Sequence, residues 1–189
     1  MRTLYYLPGR GGQLNRGLGP ALAARGFDLY GREITLGSTS TTNNPNPFAS
    51  LPFDKQVQVV RHDLDTLVSE DNPYVIGNSF GAYLIAHALL LPGEFPGKCL
   101  FLSPVLGACR VSGMLFKPPQ AARLQKAIAA GSFSQRVIDT VVGSNDEQSP
   151  LTVCEAFMSQ TQGRLEVIKD QGHRIDPVFV DRILDRWLG

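Results

Sequence analysis

Residues 73–91 read PYVIGNSFGAYLIAHALLL and place a strand pattern directly before a helix pattern. Residues 73–77 form a short apolar run that is typical of a buried strand. Residues 80–91 are apolar on nearly every side, which predicts a central helix covered by other elements. The segment between them, GNSFG at 77–81, has the spacing G-x-S-x-G and puts Ser79 at the turn. The alternative is a serine in an ordinary strand-to-helix turn.

The turn has a physical reason to contain two glycines and a serine. Glycine permits a tight backbone path and a close approach of strand and helix, so a hydroxyl at the turn projects above the sheet edge. The backbone N–H of Phe80 then points at that hydroxyl from the start of a helix, which suits a developing anion. Ser79 is therefore a candidate nucleophile.

Strand and helix patterns alternate along the remaining sequence, which is typical of a parallel α/β sheet. Further strands are expected at residues 3–7, 27–35, 99–102, 136–142 and 165–168. Further helices are expected at residues 18–25, 53–67 and 118–131, after an N-cap Ser149 with Pro150 at the first helical position, and after Asp176-Pro177. Residues 36–52 are polar and are expected to form one long loop.

Composition excludes several classes of protein. The 189 residues suit a single domain spanning 1–189, and 43% hydrophobic with 19% charged residues exclude disorder. Because 18 basic residues nearly balance 17 acidic ones, we expect neither nucleic acid nor a membrane as partner. Three cysteines, at 99, 109 and 154, form neither a disulfide framework nor a zinc pattern.

The same observations bear on compartment and cofactors. The first apolar residues run into Pro8-Gly9, so no signal peptide is expected, and residues 82–91 are too few to span a bilayer. We therefore expect a cytoplasmic protein without a metal or cofactor, as a monomer or small homo-oligomer.

Two later residues could activate Ser79, because a serine hydroxyl needs a base and the base needs an orienting acid. Asp146 follows one predicted strand and His173 follows the next, in the order serine, acid, histidine. Parallel strands end at one edge of the sheet, so the three side chains are expected to meet there.

Other residues compete for these roles. His62 lies off the apolar stripe of its helix and is expected in solvent, whereas His87 is expected to be a satisfied core histidine. Glu147 and Asp170 are alternatives to Asp146 as the acid, and Asp146 could itself be a plain turn residue or N-cap.

A glycine-rich turn, LPGRGG at residues 7–12, follows the first strand. Its backbone could approach a substrate, and the N–H of Arg10 could join that of Phe80 in an oxyanion hole. The Arg10 side chain could also hold an anionic group or stay in solvent. The turn matches neither nucleotide-binding spacing, which argues against a phosphate loop.

Together these motifs resemble the α/β-hydrolase superfamily, and most closely its small esterase-like members without a cap domain. The resemblance runs from Leu4 to Leu188 and implies a three-layer α/β sandwich, with about six parallel strands and helices on both faces. It also implies a Ser79 nucleophile, a His173 base, an Asp146 orienter and an acyl-enzyme intermediate. Where the family has His-Gly this sequence has Pro8-Gly9, and the two antiparallel strands that precede this strand in larger members are expected to be missing.

The sequence therefore predicts a serine esterase whose partner is a small-molecule acyl substrate in an open, shallow site. An amidase, thioesterase or acyltransferase would use the same residues, and a non-catalytic hydrolase-fold binding protein is the alternative from another class. Five apolar residues are candidates to line an acyl pocket, although such residues more often belong to the core: Val105, Leu106, Met114, Leu115 and Phe116.

Overall fold

The computed structural model describes residues 2–34, 47–108 and 118–189. Within these ranges there are six strands: β1 (Arg2–Leu7), β2 (Phe27–Gly31), β3 (Tyr74–Asn78), β4 (Lys98–Leu102), β5 (Val137–Gly143) and β6 (Leu165–Ile168). The helices are α1 (Leu18–Ala24), α2 (Pro47–Ser50), α3 (Phe53–Leu67), α4 (Phe80–Ala88), α5 (Pro118–Ala129), α6 (Leu151–Met158) and α7 (Pro177–Leu188).

All six strands are parallel and their order in the sheet is β2-β1-β3-β4-β5-β6. The chain turns to one side after β1 and to the other side from β3 onward, so the order reverses between these two strands. Leu7 is the register partner of Gly77, which sets the loops after β1 and β3 side by side. Ligands of open α/β sheets bind at such a reversal, beyond the carboxyl ends of the strands.

Successive side chains of each strand enter cores on opposite faces of the sheet, as the two-residue period requires. On β1, Tyr5 and Leu7 pack in the core below α3, α4, α5 and α6, which we call the α3–α6 face. Leu4 and Tyr6 pack with α1 and α7, which we call the α1–α7 face. The expected sandwich of a parallel six-stranded sheet between two helical layers is confirmed.

Three helix predictions are confirmed in detail. On α3 the apolar stripe faces the core, with Val57, Val60 and Leu64 buried. All nine residues of α4 are buried, as its uniform apolar sequence predicts. Asp176 caps α7 by accepting a hydrogen bond from the Val178 N–H at 2.8 Å.

The region between β2 and α3 differs from its prediction. The strand ends at Gly31 rather than at residue 35, because Ile34 pairs with the glycine turn: its N–H donates to Gly12 O and its carbonyl accepts from Gly11 N. The expected loop at residues 36–52 contains the short helix α2, and residues 36–46 lie outside the described part of the chain.

Two helix ends also need correction. Pro150, not Ser149, occupies the N-cap position of α6, and no side chain caps this helix. The helix α4 ends at Ala88, and Leu90 N–H reaches back only to His87 O at 3.2 Å. This tight last turn precedes Pro92, since a proline disfavours helical geometry in the residue before it.

None of the helices in the described part of the chain is long and apolar enough to cross a membrane. Cys99 and Cys154 are buried free thiols, and Cys109 lies outside the described residues.

Candidate active site

Ser79 sits at a sharp turn between β3 and α4 with φ 52° and ψ −114°. A non-glycine residue rarely adopts this backbone conformation, which costs about 1–3 kcal/mol and persists only where the surroundings enforce it. A Cβ on Gly77 would lie 2.7 Å from Ala82 Cα, and one on Gly81 would lie 2.1 Å from Leu7 O. Both positions therefore require glycine, which is the steric basis of the G-x-S-x-G spacing.

Ser79, His173 and Asp146 are brought together at the carboxyl edge of the sheet. Ser79 Oγ lies 2.8 Å from His173 Nε2. His173 Nδ1 lies 2.9 Å from Asp146 Oδ2 and 3.0 Å from Oδ1. A neutral imidazole that donates from Nδ1 to this carboxylate presents Nε2 as an acceptor to the hydroxyl, which is the arrangement a general base needs.

Asp146 is anchored by the turn after β5. Its side chain is 0% exposed, and Oδ1 accepts hydrogen bonds from the N–H groups of Gln148 at 2.9 Å and Ser149 at 3.0 Å. The role of turn residue and the contact with His173 are thus met by the same carboxylate, so these two interpretations of Asp146 are compatible. Burial among donors keeps the carboxylate fixed in front of the imidazole.

The competing acids lie elsewhere. Glu147 and Asp170 are exposed, and Asp170 takes a left-handed conformation with φ 59°. Within the described residues neither is hydrogen bonded to His173.

The other two histidines are remote from this cluster. His62 is exposed on α3, as expected. His87 is buried in α4 between the rings of Phe53 and Tyr83, as expected of a core histidine. Its Nε2, however, has no hydrogen-bond partner among the described residues, so it is not the satisfied histidine that the sequence predicts. Burial, and then the nearby Arg123, lower the pKa of His87 to about 4.

Backbone donors line the approach to Ser79. Phe80 is the first residue of α4, so its N–H has no acceptor within the helix. Gly9 abuts the serine, because a Cβ there would lie 3.2 Å from Ser79 Cβ. The next residue, Arg10, stacks its guanidinium 5.0 Å from the centre of the Phe80 ring, and its N–H donates to no acceptor among the described residues. Burial lowers the pKa of the Arg10 side chain.

A cavity of about 710 Å³ opens beside the cluster on the α1–α7 face. His173, Gly9 and Asn78 border it, although the Ser79 side chain is not part of its wall. The remaining wall comes from the loop after β1, the start of α1, the ends of β1 and β4, and the residues from Arg174 to Asp181. The cavity therefore adjoins the imidazole rather than enclosing the hydroxyl.

Several lining residues carry no signal in the sequence that marks them as part of a site. Arg16 belongs to an irregular loop, and Ser103, which is buried with φ 45°, reads simply as the end of a strand. Arg174 could have been noticed, because it directly follows His173. Tyr6 also lines the cavity, and burial raises its pKa to about 12.

Two of the five residues expected to line an acyl pocket belong to the core instead. Val105 and Leu106 are 1% and 0% exposed and belong to the core, and Leu106 packs on the α3–α6 face. Met114, Leu115 and Phe116 lie outside the described residues. In the part of the chain that is described, no group of three or more His, Cys, Asp or Glu could hold a metal ion.

Solved structures with the same architecture include α/β hydrolases. Monoacylglycerol lipase from Paleococcus ferrophilus is 13% identical with a TM-score of 0.70, over 98% of this chain and 93% of that one. The α/β hydrolase domain-containing protein 10 from mouse is 13% identical with a TM-score of 0.67, over 98% and 89%. MGS-MChE2, an α/β hydrolase from a lagoon-sediment metagenome of Mar Chica, Morocco, is 17% identical with a TM-score of 0.65, over 99% and 90%.

No protein-family model and no curated protein sequence matches this chain. Agreement with these structures over almost their whole length shows that the chain has the α/β-hydrolase fold. In that fold the G-x-S-x-G turn presents a residue at the carboxyl edge of the sheet, where Ser79 lies here.

Proposed function

We propose that this protein is a serine hydrolase that cleaves carboxylic esters of small, soluble substrates. The observation that carries the proposal is the unbroken series of contacts from Ser79 Oγ through His173 to the buried Asp146, at 2.8 and 2.9 Å. The positive φ of Ser79 gives further support, since strain of this kind concentrates at functional sites. The hydrolases with the same fold, a lipase among them, agree with it.

The first half of the reaction forms an acyl-enzyme. His173 Nε2 takes the proton of Ser79 as Oγ attacks the carbonyl carbon, and the carbonyl oxygen becomes an oxyanion. The imidazolium then gives that proton to the oxygen of the departing alcohol, and the carbon–oxygen bond of the ester breaks. Asp146 stabilises the transient charge on the imidazolium and holds its tautomer.

The second half repeats these steps with water. His173 removes a proton from water, the hydroxyl adds to the acyl carbon, and the proton returns to Ser79 Oγ as the acid leaves. In both halves the oxyanion is assigned to the N–H groups of Phe80 and Arg10. The closeness of Gly9 to Ser79 supports this assignment, because it brings the loop after β1 to the reacting carbon.

The preference for small substrates rests on the chain between β4 and β5. Residues 103–136 join these strands, and α5 takes up Pro118–Ala129, which leaves too little sequence for a separate cap domain. An uncapped site suits short, soluble acyl esters. Faster turnover of a long-chain ester emulsion than of a short-chain ester would contradict this part of the proposal.

Labelling by a fluorophosphonate probe tests whether the protein is an enzyme. We expect the probe to label the wild type and not to label the Ser79→Ala variant. The matched control is Ser159→Ala, since Ser159 is an exposed serine at the end of α6 and should leave labelling unchanged. A wild type without any labelling would favour the non-catalytic binding protein.

The bond that is cleaved needs a separate experiment. An amidase, a thioesterase and an acyltransferase would use the same three side chains, so the residues do not separate them. The value of kcat/KM should be measured for an ester, an amide and a thioester with the same acyl group. Adding an acceptor alcohol to the ester reaction tests for acyl transfer. We expect the ester to have the highest value and every activity to disappear in Ser79→Ala.

The wider proposal is a cytoplasmic enzyme of one domain, as a monomer or small homo-oligomer, which needs neither metal nor cofactor. Two buried, reduced cysteines are consistent with a reducing compartment. Burial raises the pKa of Cys154 to about 12, so its thiol is not a competing nucleophile at neutral pH.

A further inference from the structure

Three arginines from two segments line the cavity beside His173. Arg10 and Arg16 belong to the loop between β1 and α1, and Arg174 belongs to the loop after β6. All three are exposed at the cavity. Within the described residues none of them forms an ion pair or donates a side-chain hydrogen bond. The Arg10 guanidinium stacks on the Phe80 ring, but its N–H groups, like those of Arg16 and Arg174, remain available to a ligand.

Ion pairs are common among the other arginines of the described residues, so three arginines without an ion pair at one cavity are notable. Ion pairs join Arg25 to Asp181 and Asp185, Arg32 to Asp63, Arg61 to Asp65, Arg123 to Asp54 and Arg186 to Glu166. Among the described residues Arg2, Arg136, Arg164 and Arg182 also form no ion pair, and they lie outside the cavity. The cavity therefore gathers three positive charges that the chain itself does not neutralise.

The acidic side chain in the cavity wall does not cancel these charges. Asp181 is the single carboxylate among the described lining residues, and its Oδ1 accepts from Arg25 at 3.1 Å. Arg25 lies outside the wall and also holds Asp185 at 2.7 Å. The lining thus keeps a net positive charge, which attracts anions to the cavity.

We propose that this cavity binds an anionic group, a carboxylate or phosphate, on the ester that is hydrolysed. The inference rests on the proposed function and names its substrate class. Guanidinium groups match carboxylate and phosphate oxygens in pairs of charge-assisted hydrogen bonds. Because His173 and Gly9, which abuts Ser79, border the same cavity as the arginines, an anion held there would lie beside the reacting ester.

The first experiment compares esters of equal acyl length that differ in charge. The pair is 4-nitrophenyl hexanoate and mono-4-nitrophenyl adipate, and the readout is the ratio of their kcat/KM values. We expect the anionic ester to be favoured in the wild type, and added KCl to reduce the ratio by screening. A second pair, phenyl acetate and 4-acetoxybenzoate, carries the charge on the alcohol side and shows which half of the ester occupies the cavity.

The variants are Arg16→Gln and Arg174→Gln, alone and together, with Arg16→Lys as the conservative change. We expect the double variant to lower the anionic-to-neutral ratio about 10-fold or more for one of the pairs, since charge-assisted contacts are lost. Arg16→Lys should retain part of the preference. Arg164→Gln removes the same charge from an exposed arginine outside the cavity and should leave the ratio as in the wild type.

The outcomes separate the two proposals. If neutral esters are cleaved in a Ser79-dependent manner but the double variant leaves both ratios unchanged, the anion site is wrong and the esterase stands. If no ester is cleaved and the fluorophosphonate probe does not label the protein, both proposals fail together.

Discussion

The two faces of the sheet are closed to different degrees. On the α3–α6 face the core is filled by aromatic rings, with Phe101 stacked on Phe157 at 6.0 Å and Phe133 edge-on to Phe157 at 5.0 Å. On the α1–α7 face a cavity of about 710 Å³ reaches the imidazole of His173. The packed face can hold a rigid scaffold, whereas the open face has room for the proposed substrate.

Ser79 lies where the two faces of the sheet meet. Its strained turn is enforced from the α3–α6 face, where every residue of α4 is buried and Gly77 lies against Ala82. Its hydroxyl meets an imidazole that borders the open face. The difference between the faces therefore suggests that stability and activity depend on separate sets of residues.

The largest expected effect is the loss of activity when Ser79 or His173, which lie where the two faces meet, is replaced. Ser79→Ala and His173→Ala should each lower kcat by about 10⁴- to 10⁶-fold, and the double variant should be no worse, because the members of the proposed triad would act as a unit. Ester hydrolysis measures this. The midpoint of urea unfolding should barely move, and a large loss of stability with activity retained would contradict the comparison.

The next effect concerns stability on the two faces. Leu84→Ala in α4 and Leu184→Ala in α7 remove the same atoms from side chains that are both 0% exposed. Each should cost about 2–5 kcal/mol, with Leu84 at the upper end, since α7 flanks the cavity and can move to fill the space. The free energy of unfolding in urea gives both values. A larger cost at Leu184 would reverse the contrast.

His87 should make the α3–α6 face sensitive to acid. Its pKa of about 4 in the folded state is below the ordinary 6.5, so as pH falls from 6.5 toward 4 the unfolded chain binds a proton that the folded chain does not. Stability should therefore decrease over this range, by up to about 3 kcal/mol. Stability of the wild type and of His87→Phe should be compared at pH 4.5 and 7. An equal pH dependence in both proteins would rule out this histidine as the cause.

The smallest effect compares neighbouring tyrosines on opposite faces. Tyr5 donates to the buried Asp63 at 2.9 Å, which Arg32 also binds through two nitrogens. Tyr6 interacts with Asn78 at the cavity. Tyr5→Phe should cost about 1–2 kcal/mol, because an acceptor in the core loses a donor, and Tyr6→Phe should cost less, because water in the cavity can replace the hydroxyl. Chemical unfolding of both variants tests the order.

Much of the fold could be predicted because its signals are local. Alternating apolar runs gave the six strands, and the spacing of Val57, Val60 and Leu64 gave α3. The errors occur where tertiary contacts override a local pattern. Ile34 has strand character but bonds to the glycine turn, and Ser149 resembles an N-cap but donates its N–H to Asp146.

The candidate site, like the fold, could be predicted only in part. Ser79, Asp146 and His173 could be proposed from their order and from the strands they follow, since parallel strands bring their ends to one edge. The choice among Asp146, Glu147 and Asp170 could not be made from order alone. It depends on which carboxylate is buried against the imidazole, and the sequence does not encode that distance in any short pattern.

What the sequence determined by itself is a glycine-flanked serine turn in an alternating α/β pattern, because backbone sterics and periodicity act over a few residues. What only the tertiary structure decided is the contact of Asp146 with His173 and the gathering of Arg10, Arg16 and Arg174 around one cavity. The physical reason is that Asp146 is far along the chain from His173, and the loop with Arg10 and Arg16 is far from Arg174, so their meeting depends on how the strands and helices pack.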